Sequence, residues 1–303
     1  MSFKFIDLFA GIGGMRIPFD ESGGKCVFSS EFDKFAQKTY EVNFDEEPYG
    51  DITLINENEI PDHDLLLAGF PCQPFSNAGL RKGFEETRGT LFFDIARILN
   101  HKKPNAFLLE NVKALKSHDN GRTFETIIST LNNLGYNTLE STVLNSKNFG
   151  LPQNRERIFI VGFRNHINFK FPEDKNTETR LGNILQKRVK EKYTISDKLW
   201  ASHRKRKKRY QEKGYGFGYS IFHRDSVYSS TLSARYYKDG SEILIEQNNK
   251  NPRMLTPREA SRLQGFPDDF QIPVSDNQAY KQFGNAVSVP VIREIAKNII
   301  KNL

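Results

Sequence analysis

The sequence predicts an α/β fold with a mostly parallel sheet, followed by a second, smaller domain. Over the first half of the chain, short apolar runs typical of buried strands alternate with segments of helical periodicity. The turns between them are rich in Gly and Asp, as expected where strands lead into helices. Beyond about Asn165 this alternation weakens and a dense run of Lys and Arg begins.

The elements follow in order along the chain. Strands are expected at 3–9, 25–30, 64–70, 106–109, 136–144 and 157–163, and helices at 15–22, 33–42, 89–100 and 122–134. A last amphipathic helix, at 287–303, should pack back on the first domain. The prediction is therefore a discontinuous first domain, 1–170 plus 275–303, and a second domain at 171–274.

Composition narrows the class of protein. Two cysteines cannot form a disulfide framework, and the six scattered histidines lack the spacing of metal ligands. The amino terminus lacks a signal-peptide pattern, and no apolar stretch reaches about 18 residues. We expect a cytoplasmic protein without structural metal and without a membrane segment.

Positive charge is concentrated in one segment. Residues 180–213 hold 13 Lys or Arg against three acidic residues, an excess larger than the +7 of the whole chain. A localised basic face is typical of proteins that bind a polyanion. A solvated helix or a localisation signal is the alternative interpretation of 203–209.

A thiol stands where one predicted strand ends, in Gly69-Phe-Pro-Cys-Gln73. Ligands of open α/β sheets bind at the carboxyl ends of strands, and a polar, Gly-rich loop follows this one. Cys72 is therefore a candidate nucleophile, with Pro71 fixing the turn that aims it. The alternative is a buried small apolar residue, which is the role expected of Cys26.

The glycine-rich turn 9–14 predicts a ligand close to the backbone. A dinucleotide fingerprint would need Gly at Arg16, which disfavours an NAD site. Glu31 stands where a carboxylate would accept ribose hydroxyls, and Asp51, near the tip of another strand, where one would accept an adenine amine. An adenosine cofactor without pyrophosphate fits this pattern, whereas a helix N-terminal charge and an Asx turn are the alternatives.

Six motifs, in order, resemble those of the cytosine-5 DNA methyltransferases, in particular those of bacterial restriction-modification systems. They are Phe5-Ile-Asp-Leu-Phe-Ala-Gly-Ile-Gly-Gly14, Gly69-Phe-Pro-Cys-Gln73, Glu110-Asn-Val112, Gln153-Asn-Arg-Glu-Arg157, Arg262-Leu-Gln-Gly-Phe-Pro-Asp-Asp-Phe270 and Gln282-Phe-Gly-Asn-Ala-Val287. The resemblance implies a Rossmann-like, S-adenosylmethionine-dependent methyltransferase domain with a smaller, mostly β target-recognition domain. It also implies a monomer that acts on double-stranded DNA, with a cognate restriction endonuclease as a partner by function rather than by contact.

The resemblance assigns the methyl donor to residues from both ends of the chain. They are Phe9, Gly11, Ile12, Gly13, Gly14, Glu31, Phe32, Asp51, Ile52, Phe70, Leu91, Asn285 and Val287. Phe32 departs from the tryptophan often found at its position in the family, but a phenylalanine ring can still stack on adenine.

The resemblance also implies the catalytic chemistry. Cys72, flanked by Pro71 and Gln73, would add to carbon 6 of cytosine, and Glu110 would bond or protonate ring nitrogen 3. Arg155 and Arg157, two apart in an extended segment, would meet the carbonyl oxygen and a nearby phosphate, although a surface pair is the alternative.

Attack from above the ring plane requires the base to be flipped out of the duplex. The loop 74–89, with its three glycines, is expected to close over that base. The residues expected to contact DNA are Ser76, Arg88, Thr231, Leu232, Arg235 and Lys238. The segments 214–219 and 232–245 resemble enzymes that modify a cytosine within CC and GG flanks.

Three other functions are weighed against this one. The same chemistry on transfer RNA is the nearest, and a discrete recognition domain favours DNA. A DNA-binding protein with a dead active site would lack one of the catalytic residues, and none is missing. A nicotinamide oxidoreductase is disfavoured by Arg16 in the glycine-rich turn.

Overall fold

The computed structural model describes residues 2–71, 91–175, 177–216 and 218–303. The chain divides into two compact units. Unit 1 comprises Met1–Leu144, Glu156–Glu173 and Val291–Leu303, and unit 2 comprises Asn145–Arg155 and Asp174–Pro290. The boundaries of these units differ from the predicted ones at 145–155 and 275–290, which belong to unit 2.

Unit 1 is built on a six-stranded sheet in the order β2-β1-β3-β4-β6-β5. The strands are β1 (Lys4–Leu8), β2 (Lys25–Ser30), β3 (Leu65–Gly69), β4 (Ala106–Val112), β5 (Thr138–Asn145) and β6 (Glu156–Phe163). The neighbouring strands β2, β1, β3 and β4 run parallel to one another, and β6 pairs antiparallel with β4. This confirms the predicted fold class, an α/β fold with a mostly parallel sheet.

Helices connect and cover these strands. In unit 1 they are α1 (Arg16–Glu21), α2 (Lys34–Phe44), α3 (Leu91–Lys102) and α4 (Arg122–Asn133). Asp33 caps α2, because its carboxylate accepts hydrogen bonds from Phe35 N (2.9 Å) and Ala36 N (3.3 Å). The central strands β3 and β4 are apolar runs because helices cover both faces of a parallel sheet.

Unit 2 differs from the mostly β domain that was expected. Its longer elements are helices, α5 (Asp197–Glu212), α6 (Pro257–Leu263) and α7 (Asp276–Asn285). Among its described residues, the named strands are the two-residue β7 (Ile221–Phe222) and β8 (Leu244–Ile245), which pair with each other. A capping box of Thr256 and Glu259 begins α6.

The last helix, α8 (Val289–Ile300), shows the predicted four-residue apolar spacing. Val291, Ile295 and Ile299 are buried. Within unit 1, Arg293 forms an ion pair with Glu21 (2.8 Å), and Asn298 donates to the carbonyl of Lys170 (3.0 Å). No helix among the described residues is both long enough and apolar enough to span a bilayer.

Candidate active site

A buried ion pair links β4 and β6 in unit 1. Arg157 Nε lies 3.2 Å from Glu110 Oε1, and the two side chains are only 18% and 11% exposed. Glu110 faces Phe159 across the antiparallel ladder, and Arg157 is two residues from Phe159, so the two charges share one face of the sheet. Burial lowers the pKa of the Arg157 guanidinium, and the facing Glu110 carboxylate opposes that shift.

The Glu110 carboxylate lies beside the end of the neighbouring strand β3. Gly69 is the register partner of Glu110, and a Cβ added to Gly69 would stand 3.6 Å from Glu110 Oε2 and 3.7 Å from Met15 Sδ. Both distances are ordinary van der Waals contacts. Glu110 therefore lies against the strand that leads into Pro71 and the predicted nucleophile. It stands within β4, which extends to Val112, rather than just after a strand end as the sequence suggested.

Asn111 is a site residue to which the sequence analysis gave no role. It is 2% exposed, and its Nδ2 donates to the carbonyl of Phe70 (2.9 Å) while its Oδ1 accepts from Val112 N (2.7 Å). Asn111 therefore fixes the backbone one residue before Pro71. The alternation of side chains along a strand was the sequence signal for a separate role of Asn111. Neighbouring residues of a strand point to opposite faces, so Asn111 could not share the surroundings of Glu110.

Several predicted residues lie outside the described part of the chain. Cys72, Gln73, Ser76 and Arg88 fall in the undescribed segment 72–90, as does the whole loop 74–89 that is expected to close over the base. Pro71 is the last described residue before this segment and is exposed. Leu91, the first described residue after it, begins α3 and is half-buried.

The glycine-rich turn follows β1 and is held by a carboxylate from the end of β2. Phe9, Gly11 and Gly13 have φ values of +54°, +57° and +79°, a conformation in which a residue with a Cβ such as Phe9 is strained. Glu31 accepts hydrogen bonds from Gly11 N (2.9 Å) and Asp33 N (2.8 Å). Burial raises the pKa of Glu31, and these two hydrogen bonds oppose the shift.

A network beneath the turn fixes its shape. Arg16 is buried and donates to Tyr40 Oη and Glu46 Oε2, both at 2.9 Å, and its guanidinium lies 4.5 Å from the centre of the Phe44 ring. A Cβ on Gly13 would stand 2.1 Å from the same ring, so only glycine fits there. In the sequence, Arg16 was informative only as a residue that disfavours an NAD site, and its place in this network was not predicted.

The surface around the turn fits an adenosine group. The Phe32 ring, beside Glu31, is 72% exposed, although apolar rings are ordinarily covered. Nothing lies within 4 Å of a Cβ built on Gly11, so a ligand can approach the backbone there. Asp51 is exposed but does not end a strand as predicted. It caps a short 3₁₀ helix, Ile52–Leu54, by accepting from Thr53 N (3.0 Å).

Other predicted donor-binding residues in unit 1 lie deeper. Ile12, Gly14, Ile52 and Phe70 are buried, the last two in the apolar core of the sheet. Phe9 is half-buried and packs against that same core. In unit 2, Asn285 is exposed and Val287 is buried.

Arg155 has partners that differ from those expected. Its Nη1 donates to the carbonyl of Leu232 (3.0 Å), and its Nη2 to the carbonyls of Gly284 (3.1 Å) and Ala286 (2.7 Å). It is 2% exposed and lies in unit 2, whereas Arg157 lies in unit 1. Arg155 thus holds three backbone carbonyls of unit 2, and contact of either guanidinium group with the substrate stays a prediction.

Gln153 completes this buried hub of unit 2. Its side chain donates to the carbonyl of Leu263 (3.0 Å) and accepts from Leu232 N (2.9 Å), and it is fully buried. Thr231, expected to meet a DNA phosphate, donates its hydroxyl to the carbonyl of Asn154 (2.6 Å). Thr231 and Leu232 are thus held by hydrogen bonds with residues 153–155. Arg235 and Lys238, a few residues further on, are exposed.

Comparison with solved structures first shows which fold the chain has. The structure of the Entamoeba histolytica methyltransferase EhMeth has a TM-score of 0.81 at 21% sequence identity, covering 100% of this chain and 99% of that one. The Dnmt2 methyltransferase of S. pombe has a TM-score of 0.80 at 18% identity, again covering 100% and 99%. At these identities the likeness shows the fold alone, which is that of the methyltransferases.

Sequence comparison then gives the family. The model described as C-5 cytosine-specific DNA methylase matches residues 3–301, and the chain belongs to that family. Its enzyme class is accordingly DNA cytosine methyltransferase.

Similar proteins include three bacterial enzymes whose names call them Type II methyltransferases. M1.ScrFI of Lactococcus lactis subsp. cremoris is 60% identical over 99% of this chain and 79% of its own length, and M.SsoII of Shigella sonnei is 61% identical over 99% and 81%. M.NlaX of Neisseria lactamica is 60% identical over 98% and 96%.

The described residues contain no group of three or more His, Cys, Asp or Glu that could hold a metal ion.

Proposed function

We propose that this enzyme transfers a methyl group from S-adenosylmethionine to carbon 5 of a flipped-out cytosine within a short, specific sequence of duplex DNA. We further propose that the methylation protects DNA in a restriction-modification system, a role supported by the Type II names of its relatives. The observation that carries the chemistry is the buried pair of Glu110 and Arg157 beside the strand that leads to Cys72.

Carbon 5 of cytosine is too electron-poor to attack a methyl sulfonium unaided. The Cys72 thiolate forms a bond to carbon 6, and the displaced electron pair of the ring is drawn toward nitrogen 3, where Glu110 donates or shares a proton. The product of this addition is a neutral enamine rather than an anion. Arg157 holds the Glu110 carboxylate in place and supplies a positive charge near the ring carbonyl.

The methyl donor supplies an electrophilic methyl group when it is bound. Glu31 would accept the ribose hydroxyls, the Phe32 ring would stack on adenine, and Asp51 would accept the adenine amine. The open backbone at Gly11 leaves room for the rest of the molecule. After transfer, a water molecule takes the proton from carbon 5, which restores the double bond and expels the thiolate. The proton on nitrogen 3 returns to Glu110, so the enzyme is regenerated.

The direction of attack implies base flipping. A thiolate must approach carbon 6 from above the ring plane, and in a duplex the neighbouring base covers that face. Asn111 contributes by fixing the carbonyl of Phe70, which precedes the Pro71-Cys72 step. We propose that this bond aims the nucleophile, since a small displacement of a reacting group costs a large factor in rate.

A covalent trap tests the proposal. A duplex carrying 5-fluorocytosine cannot lose a proton from carbon 5, so the enzyme should remain attached through Cys72 when S-adenosylmethionine is present. The chain offers a matched control, because burial raises the pKa of Cys26 to about 12 and leaves it a thiol at neutral pH. We expect the adduct with the wild type and Cys26→Ala, and none with Cys72→Ser.

Labelled S-adenosylmethionine with DNA and with transfer RNA identifies the polymer, and bisulfite sequencing of DNA from cells that make the enzyme identifies the site. An adduct that survives in Cys72→Ser would refute the mechanism. Label in RNA alone would refute the choice of substrate. A methylated cytosine between CC and GG flanks would agree with the sequence-based lead on the target.

A further inference from the structure

Helix α5 of unit 2 has two sharply different faces. One face is anchored in the unit. His203 is 1% exposed with Nε2 3.1 Å from the carbonyl oxygen of Asp239, Arg206 forms an ion pair with the Asp239 carboxylate (3.0 Å), and Lys207 donates to the carbonyl of Tyr219 (3.2 Å). Leu199, Trp200 and Tyr210 lie on the same side and are half-buried.

The opposite face carries a concentration of positive charge. Because successive residues of a helix are about 100° apart, five exposed cations fall on one side of α5. This basic ridge consists of Lys198, Arg204, Lys205, Lys208 and Arg209. Two acidic residues of the helix, Asp197 at its start and Glu212 at its end, lie on that side, so the ridge carries five positive charges against two negative ones.

The ridge does not stabilise the helix. Like charges three and four residues apart, such as Lys205 with Lys208 and Arg209, repel each other and weaken a helix. Within the described residues, none of the five cations forms an ion pair with a carboxylate, while Arg204 and Arg209 lie over the rings of Trp200 and Tyr210. A charge that costs helix stability and has no anionic partner within the fold suits an external polyanion.

The contacts that anchor α5 in unit 2 indicate that this polyanion is DNA. Asp239, which His203 and Arg206 hold, directly follows Lys238, and Lys238 and Arg235 are exposed residues expected to contact DNA. The ridge and that turn therefore belong to one connected piece of unit 2. A helix of this length spans about 24 Å, so its basic face is long enough to extend along more than one base pair of DNA.

We propose that the basic ridge binds the phosphates of duplex DNA beyond the recognised sequence, and so adds affinity without sequence preference. This inference rests on the proposed function, because it takes DNA as the substrate. Phosphate contacts position a protein on DNA but carry no sequence information. Each contact releases counterions, so the logarithm of affinity falls with the logarithm of salt by about 0.9 per contact.

The experiment compares two duplexes and two double variants. One duplex ends at the edges of the site that bisulfite sequencing identifies, and the other extends it on both sides with arbitrary sequence. The ridge variant is Lys205→Gln/Lys208→Gln. The matched control is Lys297→Gln/Lys301→Gln, which removes two exposed lysines from unit 1.

We expect the ridge variant to bind the extended duplex on the order of tenfold more weakly than the wild type, with a salt slope smaller by about two. Its affinity for the short duplex and its kcat at saturating DNA should match those of the wild type and the control. The charge reversal Lys205→Glu/Lys208→Glu should weaken binding of the extended duplex further. Thermal unfolding of Lys205→Gln/Lys208→Gln should occur at the wild-type temperature or slightly above it, because these side chains are exposed and the substitutions remove like-charge repulsion.

Three results would overturn the inference. The ridge variant could bind the extended duplex as tightly as the wild type, or lose equal affinity for both duplexes, or lose affinity for RNA but not for DNA. These outcomes are distinct from failure of the proposed function, in which the wild type would not methylate either duplex.

Discussion

Arg155 and Arg157 stand two residues apart in one motif, yet they serve two different parts of the molecule. In unit 1, Arg157 faces the carboxylate of Glu110 at 3.2 Å. In unit 2, Arg155 donates to three backbone carbonyls, which come from Leu232, Gly284 and Ala286. Arg157 thus faces a carboxylate, whereas these three hydrogen bonds of Arg155 go to neutral backbone groups.

This contrast teaches that a shared motif does not imply a shared role. A guanidinium has five N–H donors in a rigid plane, which suits it equally to hold a carboxylate or to join several carbonyls. The pairing partner decides which role is filled. We infer that Arg157 acts on the substrate through or beside Glu110, and that Arg155 is a positioning residue for the segments around Leu232 and Gly284.

The largest expected effect comes from the carboxylate of the first pair. Glu110→Gln removes the acid that serves nitrogen 3, so the single-turnover rate of methylation should fall about a thousandfold, or roughly 4 kcal/mol of barrier. Single-turnover methylation of a short duplex measures it. A variant that methylates at the wild-type rate would show that Glu110 is only structural.

Arg155→Met should act mainly on stability. The change removes the donors of three carbonyls from a site that is 2% exposed, and the free energy of unfolding should fall by about 3 kcal/mol. Denaturant unfolding measures this loss, and Arg155→Lys should recover part of it. A variant of wild-type stability that has lost methylation would instead assign Arg155 to the substrate and erase the contrast.

Arg157→Gln should show the reverse pattern. We expect the methylation rate to fall about a hundredfold, with the free energy of unfolding changed by only about 1 kcal/mol, because Gln can still donate to Glu110. Lys113→Gln is the control, since Lys113 also forms an ion pair between β4 and β6, with Glu156 at 3.0 Å, but its side chain is 58% exposed. That surface pair should contribute little to either quantity.

Asp7 is a second buried carboxyl group of unit 1, and its surroundings can be compared with those of Glu110. Unlike Glu110, Asp7 has no hydrogen-bond partner for either oxygen among the described residues, and burial raises its pKa from 3.8 to about 8. Between these two values the unfolded chain loses a proton that the folded chain keeps. The contribution of Asp7 to the free energy of unfolding is therefore largest below pH 4, and it declines by about 1.4 kcal/mol per pH unit up to pH 8.

Asp7→Asn should remove this contribution, so the stability of the variant relative to the wild type should rise steadily from pH 4 to pH 8. Urea unfolding across that range measures the difference. A difference that does not change with pH would mean that Asp7 is ionised in the folded protein at neutral pH.

The sheet of unit 1 was predictable because its strands are local signals. Leu65–Gly69 and Ala106–Leu109 are continuous apolar runs, as expected of strands covered on both faces, and β2 has the predicted bounds. Asp51 was misplaced because its side chain bonds the backbone two residues on, a short-range contact that begins a 3₁₀ turn instead of ending a strand.

The structure of unit 2 was less predictable because it depends on contacts between residues that are far apart in the chain. The alternating rings and glycines of 214–222 resemble a β domain, yet the strand there is two residues long. Gln153 and Arg155 bond Leu263 and Gly284, partners that lie more than 100 residues further along the chain. The motif residues around Glu110 could be placed from the resemblance, whereas the role of Asn111 and the partners of Arg155 required coordinates.

Unit 1 is assembled from three stretches of chain, and the last of them is 291–303. A ribosome therefore makes the six strands well before the closing helix that packs with them, although domains are generally expected to fold in order of synthesis. Residues 174–290, the larger part of unit 2, are translated in between. A nascent or truncated polypeptide that stops before residue 291 has an incomplete unit 1, so a chain that completes unit 1 has already synthesised the whole of unit 2.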